Sequence, residues 1–144
     1  MLAKTAEYAM RAVAALAAAE SAALAAGPLA EKTRIPRRYL HKVMQELTAA
    51  GLVTSRPGPG GGYTLCRQPQ EITLLDVVNA VAPLERIREC PLGLPGHTSL
   101  CPLHHELDRV IAATEEAYSK VTLGELLASV GKIIPLCETI PELS

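Results

Sequence analysis

Two short strand-like segments, residues 52–55 and 63–66, are joined by a run of glycine and proline, and this run restricts the fold more than any other stretch. The run is Arg56-Pro57-Gly58-Pro59-Gly60-Gly61-Gly62. Glycine adopts backbone angles that other residues avoid, so the sequence predicts the tip of a two-stranded hairpin. A glycine-rich loop that holds a nucleotide phosphate joins a strand to a helix, so the nucleotide-binding alternative is disfavoured.

Three helices are predicted before the hairpin. Thr5 is placed to cap the first, and Gly27-Pro28 ends its pattern, which leaves residues 29–33 for a short second helix. Pro36, a favoured first helical residue, opens a third helix that ends at Gly51. Helix, short helix, helix and hairpin in this order are typical of the winged helix-turn-helix.

After the hairpin, the sequence predicts two capped helices and one long helix between them. Thr73 with Asp76, and Thr122 with Glu125, have the spacing of capping boxes. Apolar residues spaced alternately by four and three follow Pro102, a pattern typical of a helix that packs on a partner helix. They are Leu103, Leu107, Val110, Thr114, Ala117 and Val121. Packing within the chain is the alternative, but a domain this small offers little surface, so homodimerisation is predicted.

The expected fold class is mainly α with a small β-hairpin: a winged helix-turn-helix plus a long dimerisation helix. Residues 1–82 are expected to form the winged helix-turn-helix domain. Residues 83–102 are expected to form a cysteine/histidine sensor loop, and residues 103–144 the dimerisation helix and a C-terminal arm.

Charge is divided unevenly along the chain, although the formal net charge is only −1. Residues 1–72 carry nine Lys and Arg against five Asp and Glu, whereas residues 73–144 carry five against ten. The near-neutral total excludes a uniformly basic nucleic-acid coat. The basic half contains the helix-turn-helix pattern, as expected if that half faces phosphate.

The third predicted helix has the composition of a helix that contacts base edges in the major groove. Its apolar positions, Tyr39, Leu40, Val43 and Leu47, are expected to face the core. The residues left pointing outward are Arg37, Arg38, His41, Lys42 and Gln45. A solvated basic surface without a ligand is the alternative, but the predicted wing, with Arg56 and Tyr63 flanking its tip, favours a DNA-binding function.

Five motifs stand in a fixed order along the chain: Glu7-Tyr8-Ala9-Met10-Arg11, Tyr39-Leu40, Gly51-Leu52-Val53-Thr54-Ser55, Arg56-Pro57-Gly58-Pro59-Gly60-Gly61-Gly62-Tyr63 and Glu71-Ile72-Thr73-Leu74-Leu75-Asp76-Val77-Val78. Together they resemble the Rrf family of bacterial winged-helix transcription regulators, which includes IscR, NsrR and CymR. The resemblance covers almost the whole chain and implies a homodimer on a roughly palindromic operator in double-stranded DNA. The predicted DNA-binding residues are Thr5, Tyr8, Arg37, Arg38, Tyr39, His41, Lys42, Gln45, Arg56, Gly60, Gly61 and Tyr63.

Residues 90–105 contain two thiols and three imidazoles, which are ligands for zinc, iron or an iron–sulfur cluster. The resemblance implies an iron–sulfur cluster, with two iron and two sulfide ions favoured. The middle cysteine of the family is absent here. The candidate ligands are Cys90, Cys101 and His104, with His97 and Glu7 as further possibilities.

Other outcomes for the loop stay open. They are a zinc site, or a metal-free loop regulated by thiol oxidation, by a small molecule or by a protein partner. If the loop holds a cluster, the regulator is expected to respond to iron–sulfur, redox or nitric-oxide status. Cys66 is predicted to be a small buried residue, and Cys137 is not expected to be a ligand.

Several function classes are disfavoured by the sequence. No apolar run reaches the roughly 18 residues of a membrane span, so we expect a cytoplasmic protein without a membrane partner. Charged residues interrupt the alanine-rich stretch 11–30, which argues against a signal peptide. The cysteine–histidine loop lacks an oxyanion-pocket signal, so an enzyme is not expected. The remaining alternative to a regulator is a metal-binding interaction protein that does not bind DNA.

Overall fold

A computed structural model describes residues 2–128, and Cys137 therefore lies outside the described residues. The helices are α1 (Lys4–Ala18), α2 (Ala26–Thr33), α3 (Arg37–Ala49), α4 (Leu74–Val81), α5 (Pro102–Ser119) and α6 (Leu123–Ala128), with a 3₁₀ turn at Pro69–Glu71. The strands β1 (Val53–Arg56) and β2 (Gly62–Leu65) pair in antiparallel fashion. The fold is mainly α with one small hairpin, as predicted.

Helix α1 lies at the centre of the fold and contacts α2, α3, α4, α6 and β2. Ala6, Ala9, Ala12 and Ala15 on this helix are completely buried. Their methyl groups let neighbouring elements approach the α1 backbone closely, which suits a chain without Phe or Trp. The apolar face of α3 packs against the same core and fixes the direction in which its other face points.

Three predicted helix starts differ from the observed ones. Thr5 does not cap α1, because Ala3 occupies the N-cap position and Thr5 lies inside the helix. Helix α2 begins at Ala26, before Pro28. Proline lacks a backbone N–H, which is tolerated here because the N–H groups in the first turn of a helix have no intrahelical acceptor. Pro36 is the N-cap of α3 rather than its first helical residue.

The hairpin forms a wing, defined here as residues 53–65, whose second strand is fixed next to the hairpin tip to the segment between α1 and α2. The backbone N–H of Leu24 donates to the carbonyl of Tyr63 at 3.0 Å, and the N–H of Tyr63 donates back at 2.8 Å. A Cβ on Gly62, which has φ of +138°, would lie 2.5 Å from the Leu24 backbone. Glycine at this position therefore allows the wing to dock.

Both predicted capping boxes are present. The N–H of Asp76 donates to the Thr73 hydroxyl at 3.1 Å, and the N–H of Thr73 donates to the Asp76 carboxylate at 3.0 Å. Thr122 and Glu125 make the same reciprocal pair, with both distances at 3.1 Å. These caps satisfy N–H groups that have no intrahelical partner.

Helix α5 contacts α4, yet none of its residues is buried by the described part of the chain. Leu103, Leu107 and Val110, all on the predicted dimerisation face, are 63%, 45% and 57% exposed. Exposure of three large apolar side chains on one helix leaves a surface suited to a partner. Among the described helices, none combines the length and hydropathy required to cross a membrane.

Candidate nucleic-acid interface and cysteine loop

Helix α3 presents a basic and polar face to solvent. Leu40, Val43 and Leu47 are buried, as predicted. The exposed residues of this face are Arg37, Arg38, His41, Lys42 and Gln45, also as predicted. The expectation that Tyr39 faces the core is wrong: its side chain lies at the edge of the core and is 39% exposed. The exposed face begins at the first turn of α3 and carries three Lys and Arg residues.

Two tyrosines and three cations form a cluster beside the first turn of α3. The rings of Tyr8 and Tyr39 lie 5.7 Å apart, centroid to centroid. Lys4 and Arg11 lie 5.4 and 5.5 Å from the Tyr8 ring, and the Arg38 guanidinium lies 4.8 Å from the Tyr39 ring. Cations at these distances are attracted to the negative face of an aromatic ring. Thr5 is half-buried on the same helix as Tyr8.

The wing exposes part of its predicted DNA-binding set. Arg56 and Gly60 are exposed, whereas Gly61 and Tyr63 are half-buried. A Cβ on Gly61 would lie 2.2 Å from the carbonyl oxygen of Arg56, so the turn requires glycine there. Tyr63 packs against the core. Arg56 and Gly60 are therefore the more accessible positions.

Residues 82–101, all of which the structure describes, form turns and bends without a helix or strand. Cys101 is the N-cap of α5, and its Sγ lies 3.3 Å from Nδ1 of His104. Cys90 is half-buried, and His97 is exposed. Glu7 instead forms an ion pair at 2.7 Å with Arg11.

A metal site is not assembled within residues 2–128 of one chain. No group of three His, Cys, Asp or Glu side chains in that range is close enough to hold an ion. The Cys101–His104 pair supplies two donors, whereas a structural zinc or a two-iron cluster needs four. The donors of one chain, as described, do not fit either group. Cys66 is exposed, so the prediction that it is buried is wrong, because it follows the last residue of β2.

The pKa of Cys90 lies below the ordinary value of a cysteine thiol. The largest cause is a hydrogen bond from the backbone N–H of Leu94, and the N–H groups of Leu92 and Gly93 act in the same direction. Partial desolvation of the Cys90 thiol raises its pKa and so opposes this shift. Donors that point at a sulfur favour its thiolate form, which is both the nucleophile and the metal-binding form.

A family model described as Rrf2, an iron-dependent transcriptional regulator, matches residues 2–129. The chain belongs to the Rrf2 family. A protein of Aquifex aeolicus, named as an HTH-type transcriptional regulator, is 30% identical over 128 residues, covering 85% of this chain and 88% of the relative. The regulator IscR of Aliivibrio salmonicida is 34% identical over 102 residues, covering 69% of this chain and 60% of IscR.

Solved structures of Rrf2 regulators share the fold. CymR, the global cysteine regulator of B. subtilis, superposes with a TM-score of 0.72 at 22% identity, over 91% of this chain and 98% of CymR. IscR of T. potens has a TM-score of 0.71 at 23% identity, over 88% of this chain and 85% of that chain. The predicted resemblance and the winged helix-turn-helix fold are both confirmed.

Two residues that shape the tyrosine cluster were not predicted from the sequence of this Rrf2 protein. Lys4 and Arg11 border the tyrosine pair but were not among the predicted site residues. Lys4 precedes Tyr8 by four residues, and Arg11 follows Glu7 by four. Side chains at this spacing on a helix contact each other, so the sequence contains a signal for both residues. Leu24, which anchors the wing, has no comparable local signal, because its partner is far away in sequence.

The Rrf2 cysteine loop is tied to α5 by one bidentate ion pair. Nε and Nη2 of Arg86 donate to the two carboxylate oxygens of Asp108 at 2.8 and 2.7 Å, and the N–H of Ile87 donates at 2.8 Å. The Arg86 hydrogen bond is the largest cause that lowers the pKa of Asp108 to about 2, with Ile87 adding to it against partial desolvation. The ionised carboxylate thus holds the start of the loop on α5.

We expect Asp108→Asn to lower stability at neutral pH and to have little effect at about pH 2. The folded-state pKa lies below the unfolded value, so ionised Asp108 stabilises the fold above about pH 4 and the contribution disappears as pH falls through about 2. Urea midpoints of both proteins between these pH values measure the difference. Glu106→Gln, which removes an exposed pair with Arg109, is the control. Parallel pH curves for wild type and Asp108→Asn would contradict the assignment.

Proposed function

We propose that this protein is a transcription regulator that binds double-stranded DNA as a homodimer, with α3 in the major groove and the wing beside it. The exposed basic face at the start of α3 carries this proposal. A helix presented in this way, with Arg side chains in its first turn and a Gln further along the same exposed face, has the donors that distinguish base pairs. Membership of the Rrf2 family supports it. On this proposal the protein acts in the cytoplasm and is not an enzyme.

Helix α5 is the proposed dimer interface. The described residues leave three of its large apolar side chains, Leu103, Leu107 and Val110, about half exposed, and a second copy of α5 has the complementary spacing of four and three. A twofold dimer presents two equivalent α3 helices, so the operator is expected to be a palindrome. Its half-sites would lie one turn of DNA apart, about 10 base pairs, or a multiple of that distance.

Leu107→Glu is expected to dissociate the dimer, raising its dissociation constant by at least about tenfold, because a carboxylate would be buried in an apolar interface. Sedimentation velocity across a dilution series measures this change. Glu116→Gln, at an exposed position on α5, is the matched control. A variant Leu107→Glu that stays dimeric at the same dilution as wild type would rule out this interface.

The DNA-binding proposal is tested by selection from a random pool of DNA duplexes, followed by footprinting of the enriched sequence. We expect a palindromic duplex whose affinity falls steeply with salt, with a slope near −0.9 for each phosphate contact. The same duplex serves as the probe in the experiments below. Failure to enrich any sequence at low salt would favour the alternative of an interaction protein that does not bind DNA.

We further propose that the cysteine loop is the sensory part of the regulator. The Cys101–His104 contact and the thiolate-favouring surroundings of Cys90 support this role. An iron–sulfur cluster or a zinc ion would need donors beyond those that one chain brings together, and Glu7 and His97 are the candidates. Metal-free regulation would act through thiol oxidation, a small molecule or a protein partner.

The sensory proposal is tested by anaerobic purification with iron, sulfide and zinc analysis, and by operator affinity before and after oxidation or chelation. Iron with equal sulfide identifies a cluster, zinc alone a mononuclear site, and neither a metal-free loop. A regulator must bind its operator with different affinity in its two states. Identical affinities in every state would remove the sensory role and leave the DNA-binding proposal intact.

A further inference from the structure

We infer that Arg11 is a positioning residue for DNA recognition: it holds Tyr8, and through Tyr8 and Tyr39 it sets the orientation of Arg38 on α3. The inference rests on the proposed function, because it concerns the same surface. Arg11 itself lies on α1, not on α3, and its guanidinium is paired with Glu7 and bonded to the Thr33 carbonyl. Its effect on DNA would therefore pass through its neighbours.

The Arg11 guanidinium links α1 to α2 and also contacts the Tyr8 ring. It pairs with the Glu7 carboxylate at 2.7 and 3.0 Å, which fixes its plane relative to α1. Nη1 donates at 3.3 Å to the carbonyl of Thr33, the last residue of α2. Its Cζ also lies 5.5 Å from the centre of the Tyr8 ring. A planar group with donors in a fixed fork can make these contacts together, whereas a lysine ammonium cannot reproduce their geometry.

The contacts continue from Arg11 to the exposed face of α3. Tyr8 is only 7% exposed, so its ring is a fixed surface against which Tyr39 packs. Tyr39 in turn carries the Arg38 guanidinium over its ring at 4.8 Å. An arginine held against a ring loses less rotamer freedom on binding than one that moves freely in solvent. Arg11 thus lies at the α1 end of a series of contacts that leads through Tyr8 and Tyr39 to Arg38.

Arg11 is poorly placed to bind DNA phosphate itself. Its charge is compensated by the Glu7 carboxylate, and its Nη1 already donates a hydrogen bond to the Thr33 carbonyl. Its side chain is 28% exposed, well below that of a free surface cation. A phosphate contact releases counterions and steepens the salt dependence of binding. A positioning residue changes which bases are preferred and leaves that salt slope unchanged.

The experiment compares wild type, Arg11→Lys, Arg11→Ala and Glu7→Gln on the selected duplex and on duplexes with one base pair changed in each half-site. We expect both Arg11 variants to lose about tenfold of the discrimination between the duplexes, the size of one well-made base contact. Glu7→Gln, which keeps the guanidinium but removes its ion pair, is expected to lose less. The salt slope should be the same for all four proteins. Arg109→Lys, an exposed arginine on α5, is the matched control.

A second measurement is independent of DNA. The ring-proton chemical shifts of Tyr39 in the free protein should move in Arg11→Lys and stay unchanged in Arg109→Lys. If Arg11→Ala does not fold, Arg11→Lys and Glu7→Gln decide the question. Wild-type discrimination in the folded Arg11 variants would overturn this inference and leave the proposed function intact. A salt slope reduced by about 0.9 in those variants would also overturn it, because that change marks a direct phosphate contact. Failure of the wild-type protein to select any duplex would overturn the proposed function and this inference with it.

Discussion

Replacing Arg37 and Arg38 together with alanine is expected to weaken binding to the selected duplex by about 100-fold or more. Each guanidinium in contact with a base pair contributes about 1–3 kcal/mol of discrimination. The two side chains are held differently. Arg38 lies over the Tyr39 ring. Arg37 instead lies beside Gly27 in the first turn of α2, with its Nη1 3.4 Å from the point that a Cβ on Gly27 would occupy.

Fluorescence anisotropy with the labelled duplex measures this loss, and thermal unfolding checks that the double variant is folded. Lys120→Ala is the charge control, since it removes an exposed cation at the C-terminal end of α5. Because α3 is exposed on this face, we expect an unchanged melting temperature. Wild-type affinity in the folded double variant would show that DNA is bound by another surface.

Gly62→Ala is expected to lower the free energy of unfolding by about 3 kcal/mol. It should also weaken DNA binding, because the wing would no longer pack against the Leu24 segment. Two costs combine at this residue. Its φ of +138° is strained for alanine, and the added Cβ would lie 2.5 Å from backbone atoms of Leu24. Strain of this kind alone costs about 1–3 kcal/mol. Backbone atoms cannot move aside as a flexible side chain can, so the contact adds to that cost.

Two other glycines separate these costs. Gly60→Ala has the positive φ of +74° but meets no atom within 4 Å, so it should lose only about 1 kcal/mol. Gly96→Ala meets no atom either and has no positive φ, so it should be close to neutral. Urea unfolding of the three variants measures the series. Equal losses for Gly62→Ala and Gly60→Ala would show that the wing is not docked on Leu24.

Local sequence signals were enough to predict most of the fold. Apolar periodicity, capping pairs and the glycine run identify elements whose hydrogen bonds form between near neighbours, as at Thr73 and Asp76. The helix starts were less accurate because proline is compatible with both the N-cap and the first turn. Pro28 and Pro36 show the two cases, one inside the first turn of α2 and one before α3.

The exposure of the candidate residues was predicted where it follows from helical spacing, and not where it depends on contacts distant in sequence. Arg37, Arg38 and His41 lie outward because α3 has one apolar face. The position of Tyr39 depends on Tyr8, which lies on another helix, and no spacing rule contains that contact. The cysteine loop shows the same limit, because ligand-type residues close in sequence do not have to converge in space.

The pairing of Leu24 with Tyr63 also has a consequence for how the molecule opens. Two hydrogen bonds close a loop of about 40 residues that contains α2, α3 and most of the wing. Breaking that pair removes the closure of the loop, whereas α2 and α3 stay packed on α1 through their buried faces. We therefore expect the wing to open locally at a lower free energy than α3, and its amide protons to exchange faster than those of the buried helix.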